Sequence, residues 1–136
     1  MDHRIVEGTE NIRPEEAARL LKTAYWAQAR PAQAIEKSME NSECYGVYVE
    51  GEDRLAGFAR VITDRATTYY LCDVIIDERH RHKGLGKALV SYIVSRPAYS
   101  GLMGFLVTRD AHGLYEKYGF ETVDGRFMSR APGAGQ

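Results

Sequence analysis

The chain has 136 residues, 44% of them apolar and 27% charged, with a net charge of −1. That length fits one domain able to bury roughly two-thirds of its unfolded surface. The balanced charge excludes a protein built over its whole surface to coat nucleic acid or an anionic membrane, so any anion site must be a local arrangement.

In chain order, His3 to Glu7 reads as a short strand. Pro14-Glu15-Glu16 reads as the first turn of a helix, with apolar Ala17, Leu20, Leu21, Ala24 and Tyr25 following at helical spacing. A second short helix begins at Pro31 and carries Ala34, Ile35 and Met39. Tyr45 to Val49 and Leu55 to Thr63 are strands joined through Gly51-Glu52-Asp53, which makes a hairpin. Thr67 to Ile76 is rich in Tyr, Val and Ile and reads as a central strand buried on both faces. A basic stretch, Asp77 to Lys83, leads into Gly84-Leu85-Gly86 and a helix with Leu85, Leu89, Tyr92 and Ile93 on one side, ended by Pro97. Leu102 to Thr108 is expected as a strand, Ala111 to Tyr118 as a short helix capped by Gly119, and Phe127 to Arg130 as a last edge strand. The order predicts an α/β (α+β) domain over residues 1–131, with a mixed, mostly antiparallel sheet and one right-handed crossover between parallel strands. Residues 132–136 read as a disordered tail. Cys44 and Cys72 lack metal-ligand spacing and read as buried free thiols. The polar N-terminus and the lack of an apolar run near ~20 residues lead to a cytoplasmic expectation, with no membrane or nucleic acid as partner.

The segment from Val74 to Leu89 carries the chemistry. A buried strand enters a basic loop, and two glycines one residue apart then open a helix. A helix start offers unpaired N–H groups and the positive end of a dipole, and glycine lets the backbone approach a diphosphate closely. Arg79, Arg81, Lys83 and Lys87 add positive charge. The nucleotide-binding pattern G-x-x-x-x-G-K-S/T fails here, because Gly84 has no glycine five positions before it and Ala88 follows Lys87. The dinucleotide pattern G-x-G-x-x-G/A fails at Leu89. A third pattern, R/Q-x-x-G-x-G/A, is met in full by Arg81-His82-Lys83-Gly84-Leu85-Gly86. A plain glycine turn beside a solvated basic loop would leave the same six residues. The strand before and the amphipathic helix after favour the phosphate cradle.

This loop resembles the coenzyme A pyrophosphate loop of the GNAT superfamily of N-acyltransferases. Ala111-His112-Gly113-Leu114-Tyr115-Glu116-Lys117-Tyr118-Gly119-Phe120 resembles a second GNAT signature, A-x-x-L-Y-E-K-x-G-F. The likeness spans about residues 44–130 and is similar to compact bacterial members of the family. It implies acetyl-CoA as donor, no metal, and direct transfer to an amine in a ternary complex without a covalent enzyme intermediate. It implies that Tyr115 meets the coenzyme sulfur as a proton or hydrogen-bond donor, a role that suits a phenol with a pKa near 10. It also implies that Val74, Ile75 and Ile76 offer backbone to the pantetheine arm, while Arg81, His82, Lys83, Gly84, Leu85, Gly86 and Lys87 hold the diphosphate. A backbone amide near Val74 or Ile75 would polarise the thioester carbonyl. Many relatives carry Asn seven residues before the tyrosine to contact pantetheine. Here that position is Thr108, with a shorter reach.

Asp73, a carboxylate in an apolar strand, is a candidate general base lining the acceptor side, and equally a structural carboxylate paired with an arginine such as Arg60. Tyr25 and Trp26 either wall the acceptor pocket or pack in the core. His80, His82 and His112 lack a carboxylate or cysteine at ligand spacing, which argues against a metal. The acceptor classes in view are a primary amine on a small molecule or, alternatively, a protein N-terminus or lysine. A non-catalytic acyl-CoA sensor is the rival outside enzymology. Family members often form homodimers, which sets a further expectation.

Overall fold

A computed structural model describes residues 2–133 of the chain. Its elements are β1 (His3–Glu7), α1 (Pro14–Leu21), α2 (Ala32–Glu40), β2 (Glu43–Val49), β3 (Leu55–Thr63), β4 (Thr68–Ile76), α3 (Leu85–Val94), β5 (Met103–Phe105) and α4 (His112–Glu116). The five strands form one sheet in chain order, antiparallel from β1 to β4 and parallel between β4 and β5. The parallel pair is joined through α3, as a crossover requires.

The helices start and stop for local reasons. α1 has Pro14 in its first turn with Glu15 and Glu16, and Arg19 in its last, so its charges oppose the helix dipole. Its buried side, Ala17, Leu20 and Leu21, packs with Ile35 and Met39 of α2 against Leu55, Phe58 and Ile75. The other sheet face carries Leu89, Val90 and Ile93 of α3 and Tyr115 of α4, set against Tyr45, Ala59, Val61, Tyr69 and Leu71. Phe58 and Ala59 thus serve opposite layers, as a period of two dictates for a strand covered on both faces. Asp64 shapes the β3–β4 turn by accepting the N–H groups of Ala66, Thr67 and Thr68 and the Thr67 hydroxyl. Those bonds depress its carboxyl far below the usual range.

Two irregularities shape the centre of the sheet. Between β3 and β4, Phe58 pairs with Ile75 and Arg60 with Cys72, so Asp73 and Val74 together oppose Ala59 alone. Asp73 has φ of 54°. This is a β-bulge, which leaves one residue outside the ladder and re-aims its neighbours. Between β4 and β5 only three pairs form, ending at Tyr70↔Phe105, while β4 runs on to Ile76. The strands therefore part just before the bulge. Gly104 permits the close approach that remains, because a Cβ there would lie 2.4 Å from the Tyr69 ring.

Two sequence expectations change. The strand expected over Leu102 to Thr108 is three residues long, because it loses its partner where β4 bends away. The edge strand expected over Phe127 to Arg130 is not formed: this segment has no ladder and every residue of it is exposed. An extended segment needs a second strand for its amides, and no strand among the described residues pairs with it. Of the expected tail, Pro132 and Gly133 form a turn and residues 134–136 lie outside the described residues. No helix among the described residues is long and apolar enough to cross a membrane.

Candidate active site

The loop after β4 is fastened from three sides. The Asp77 amide donates to the Ala56 carbonyl at 2.7 Å, which closes β4 against β3. The Asp77 carboxylate accepts the Arg79 amide at 3.0 Å and the Arg19 guanidinium at 3.0 Å. Arg19 also donates to Glu16 and to the Leu55 carbonyl, and Glu16 accepts the Leu55 amide. Burial opposes charge on Asp77, but the Arg79 amide and the Arg19 guanidinium outweigh it, so its carboxyl sits below the usual range. Glu16 behaves likewise: burial raises it, and Arg19 with the Leu55 amide brings it net down. Glu52, in the β2–β3 turn, meets Arg79 at 3.2 Å and the ring of buried His80 at 3.1 Å. α1, the β2–β3 turn and the loop thus share one ionic network.

Beyond this anchor the backbone coils into a concave turn. His82 has φ of 64° and Gly84 φ of 84°. Left-handed residues close together aim successive N–H groups inward, a geometry that suits an anion. Gly84 is the N-cap of α3, and the first intrahelical bond runs from the Ala88 amide to the Gly84 carbonyl at 3.0 Å. The amides of residues 85–87 therefore precede the helical ladder. A Cβ built on Gly84 meets nothing within 4 Å, so the space over the helix start is open. The residues present fit a diphosphate: free first-turn amides, an unshielded glycine, and exposed Lys83 and Lys87 beside them. Arg81 is folded back, its Nε donating to the Ile76 carbonyl at 3.1 Å. Leu85 and Ile75 are buried in apolar clusters, and Val74 and Ile76 pack half-buried against such clusters. These four can offer a ligand main chain but little side chain.

α4 lies close to the start of α3. The Tyr118 hydroxyl donates to the Lys87 carbonyl at 3.2 Å, which ties the two sequence motifs together. Gly119 ends α4 with φ of 89°, as a C-terminal glycine cap does. Tyr115 is buried with its ring edge-on to Phe120. Burial, and then the charge of Asp110, push its phenol above the ordinary value. It is a protonated donor at neutral pH. The Thr108 hydroxyl oxygen accepts the Ala111 amide at 3.0 Å and so frames the entry to α4.

On β4, next to Val74, Asp73 Oδ2 receives Arg30 at 2.8 Å and Arg60 at 3.0 Å. Arg60 also reaches Ser42 at 3.0 Å. Tyr25 and Trp26 stand 55% and 44% exposed, so they are not core residues. Their rings meet edge-to-face at 5.2 Å, and the Arg109 guanidinium lies 4.2 Å from the Tyr25 centroid. That contact links the α1–α2 connection to the loop after β5. Cys72, half-buried beside Asp73, has its thiol pushed up to about 11 by burial, and burial raises the Cys44 thiol too. Neither is a thiolate nucleophile at pH 7. Among the described residues no group of three His, Cys, Asp or Glu side chains is placed to hold a metal ion.

Sequence reasoning missed Arg30 and the Glu16–Arg19–Asp77–Glu52 network. Arg30 meets Asp73 across 43 positions and Arg19 meets Asp77 across 58, separations that no local periodicity records.

A five-stranded, mostly antiparallel sheet whose parallel pair parts beside a glycine-opened helix defines an acyltransferase-type frame. A family model for the acetyltransferase (GNAT) domain matches residues 40–122, more than half of the chain. The chain belongs to the GNAT family and is an acetyltransferase. It superposes on a GNAT-family protein from Xanthomonas campestris pv. campestris (xcc2953) with a TM-score of 0.88 and 33% identity, over 96% of this chain and 94% of that one. The N-acetyltransferase ycf52 of Pyropia yezoensis is 25% identical over 120 residues, covering 85% of this chain and 68% of the relative. Glucosamine-6-phosphate N-acetyltransferase from Arabidopsis thaliana shares the fold, with a TM-score of 0.70 at 15% identity, over 96% of this chain and 99% of that one.

Proposed function

We propose that this N-acetyltransferase moves an acetyl group from acetyl-CoA directly to a primary amine on a small molecule. The observation that carries the reading is the open, glycine-lined start of α3 joined through one loop to the stretch of β4 that runs on past its last pair with β5. The amides of residues 82–87, with Lys83 and Lys87, hold the diphosphate in this reading. The main chain of Val74, Ile75 and Ile76, past the last β4–β5 pair, takes the pantetheine as an added strand, and Thr108 faces it from the other side. Bound acetyl-CoA supplies an activated thioester.

The chain's own groups do the rest. The bulge at Asp73 frees one β4 amide from the ladder, and that amide donates to the thioester carbonyl oxygen. Tyr115, protonated and sheltered, gives its proton to the departing sulfur. The two ion pairs on Asp73 Oδ2 favour its structural role. Asp73 fixes Arg30 and Arg60, and two guanidiniums on one carboxylate leave an excess positive charge there. Like charge disfavours an ammonium, so the acceptor reacts as the free amine and sheds its proton to water. Tyr25 and Trp26 form the acceptor wall. Because both thiols stay protonated, direct transfer is favoured over a cysteine-bound acyl group. In keeping with these roles we place the enzyme in the cytoplasm and as a homodimer.

A thiol-release assay over a panel of small amines, with peptides and whole protein extract in parallel, tests the reading. Release with small amines supports it. Release with peptides alone moves the acceptor to protein N-termini or lysines. Coenzyme binding with no release from any arm makes the chain a sensor.

A further inference from the structure

Asp73 is buried, and two arginines from separate parts of the chain converge on one of its oxygens. Arg30, in the α1–α2 connection, gives Oδ2 its Nη1, and Arg60 of β3 gives it its Nε. Arg60 Nη1 goes to the Ser42 hydroxyl. The other guanidinium nitrogens, Nη2 of Arg60 and Nε and Nη2 of Arg30, find no acceptor among the described residues. They are not sealed in the core either, since the fully buried side-chain nitrogen left without a partner is His80 Nδ1. Their donors therefore face open space. One guanidinium suffices to neutralise a buried carboxylate, so the second leaves a positive charge that the cluster itself does not balance. Burial holds the neighbouring thiols of Cys44 and Cys72 in the protonated state, so they do not balance it. Tyr70 of β4 lies within electrostatic reach of Asp73 and Arg60, with its hydroxyl unpartnered among the described residues. Burial, then the Cys72 thiol and the Asp73 carboxylate, keep that phenol above its ordinary value, so it remains a hydrogen-bond donor.

We propose, building on the acetyl-transfer reading of this site, that Arg30 and Arg60 form an oxyanion subsite and that the acceptor is a small primary amine also bearing a carboxylate or a phosphate. A guanidinium presents paired N–H donors whose spacing matches two oxygens of either group. Asp73 holds both arginines in place before the ligand arrives, which reduces the ordering cost of binding. The pair is fixed to the residue next to Val74, inside the bulge that aims an amide at the thioester. Oxyanion and amine are therefore close enough to belong to one small molecule. The same positive charge acts on both ends of that molecule. It draws the oxyanion to the guanidiniums and disfavours the ammonium form of the amine, so the free amine is the end left to meet the thioester. A protein lysine or N-terminus carries no oxyanion at a fixed short distance from its amine, so the subsite favours the small acceptor.

Matched amines test the subsite: L-amino acids and β-alanine, each beside its amide, and phosphoethanolamine beside ethanolamine. Thiol release by the parent chain should favour the anionic member of at least one pair by about 10-fold or more in kcat/KM, and the pair that responds tells carboxylate from phosphate. Arg30→Ala should raise KM for that anionic amine about 10–100-fold, as loss of a charge-assisted hydrogen bond does, with kcat and the neutral partner little changed. Arg30→Lys, which keeps the charge without the fork, should recover part of the loss. Asp73 keeps Arg60 in both variants, so the fold is retained. Equal use of anionic and neutral amines would overturn the subsite and leave acetyl transfer standing. A binding arm decides the case without turnover. At constant ionic strength, the Arg30 and Arg60 Nε–H resonances of the parent should shift saturably with β-alanine or phosphoethanolamine and not with β-alaninamide or ethanolamine. Such shifts without thiol release would keep the subsite and remove the transfer reading. No shift with either anion would overturn the subsite whatever the turnover.

Discussion

The two walls of the strand gap are built in different ways. On the proposed donor side, the loop from Asp77 to Gly84 is held by main-chain bonds and an ionic network that reaches α1 and the β2–β3 turn. On the proposed acceptor side, Tyr25, Trp26 and Arg109 are exposed and held by one ring contact and one cation–π contact. Exposed contacts of that kind contribute about 0.5–1 kcal/mol each. The contrast teaches that the donor wall is part of the fold, whereas the acceptor wall rests on it. Changes to the first should register in coenzyme affinity or stability, and changes to the second in acceptor KM alone.

The sharpest way to break that contrast is Gly84→Val. A β-branched residue in the left-handed region is strained, and its side chain enters the open space over α3. Coenzyme affinity should fall at least about 100-fold, since several first-turn hydrogen bonds are lost together. Circular dichroism checks that the fold persists, and retained affinity would remove the loop from the donor wall. Next in size, Tyr115→Phe should lower kcat by about 100-fold while leaving the coenzyme dissociation constant unchanged, as loss of a positioned acid does. Single-turnover kinetics with separate binding titrations check this, and an equal fall in affinity would make Tyr115 a packing residue instead.

Asp77→Ala probes the donor wall through stability. It removes one of the two carboxylate partners of the partly buried Arg19 and the acceptor of the Arg79 amide, at a cost of about 1–3 kcal/mol. The pH dependence has a defined sign. The net lowering of Asp77 and Glu16 means they contribute stability above their unfolded values near 4, and lose it as pH falls through the lower folded values. Urea melts across that acid range should show a shallower decline in the variant than in the parent. Parallel declines would place the acid sensitivity elsewhere. The smallest effect belongs to the acceptor wall. Tyr25→Ala should raise acceptor KM several-fold and change stability by no more than about 1 kcal/mol. A large loss of coenzyme affinity in that variant would erase the distinction between the walls.

What could be read from the sequence follows the same division. The glycine-opened helix, the strand before it and the Tyr115 helix are local patterns, so Gly84, Gly86 and Tyr115 were legible without coordinates. The parting of β4 from β5 was expected from family likeness alone, and the bulge at Asp73 that follows it has no local mark, since aspartate visits a φ of 54° only occasionally. Arg30, Arg19 and Glu52 act through contacts distant in sequence and were missed. The Phe127 to Arg130 segment has strand character but no partner strand among the described residues, and strand character alone does not form a strand.

The central claim is that the turn over residues 82–87 grips a diphosphate. Titrating acetyl-CoA into the folded parent chain by calorimetry, with desulfo-coenzyme A and dephosphorylated pantetheine as controls, tests it most directly. The account predicts one saturable site per chain, kept by the diphosphate-bearing analogue and lost with the pantetheine lacking it. No saturable heat from folded protein, or equal affinity for the analogue without a diphosphate, would contradict it.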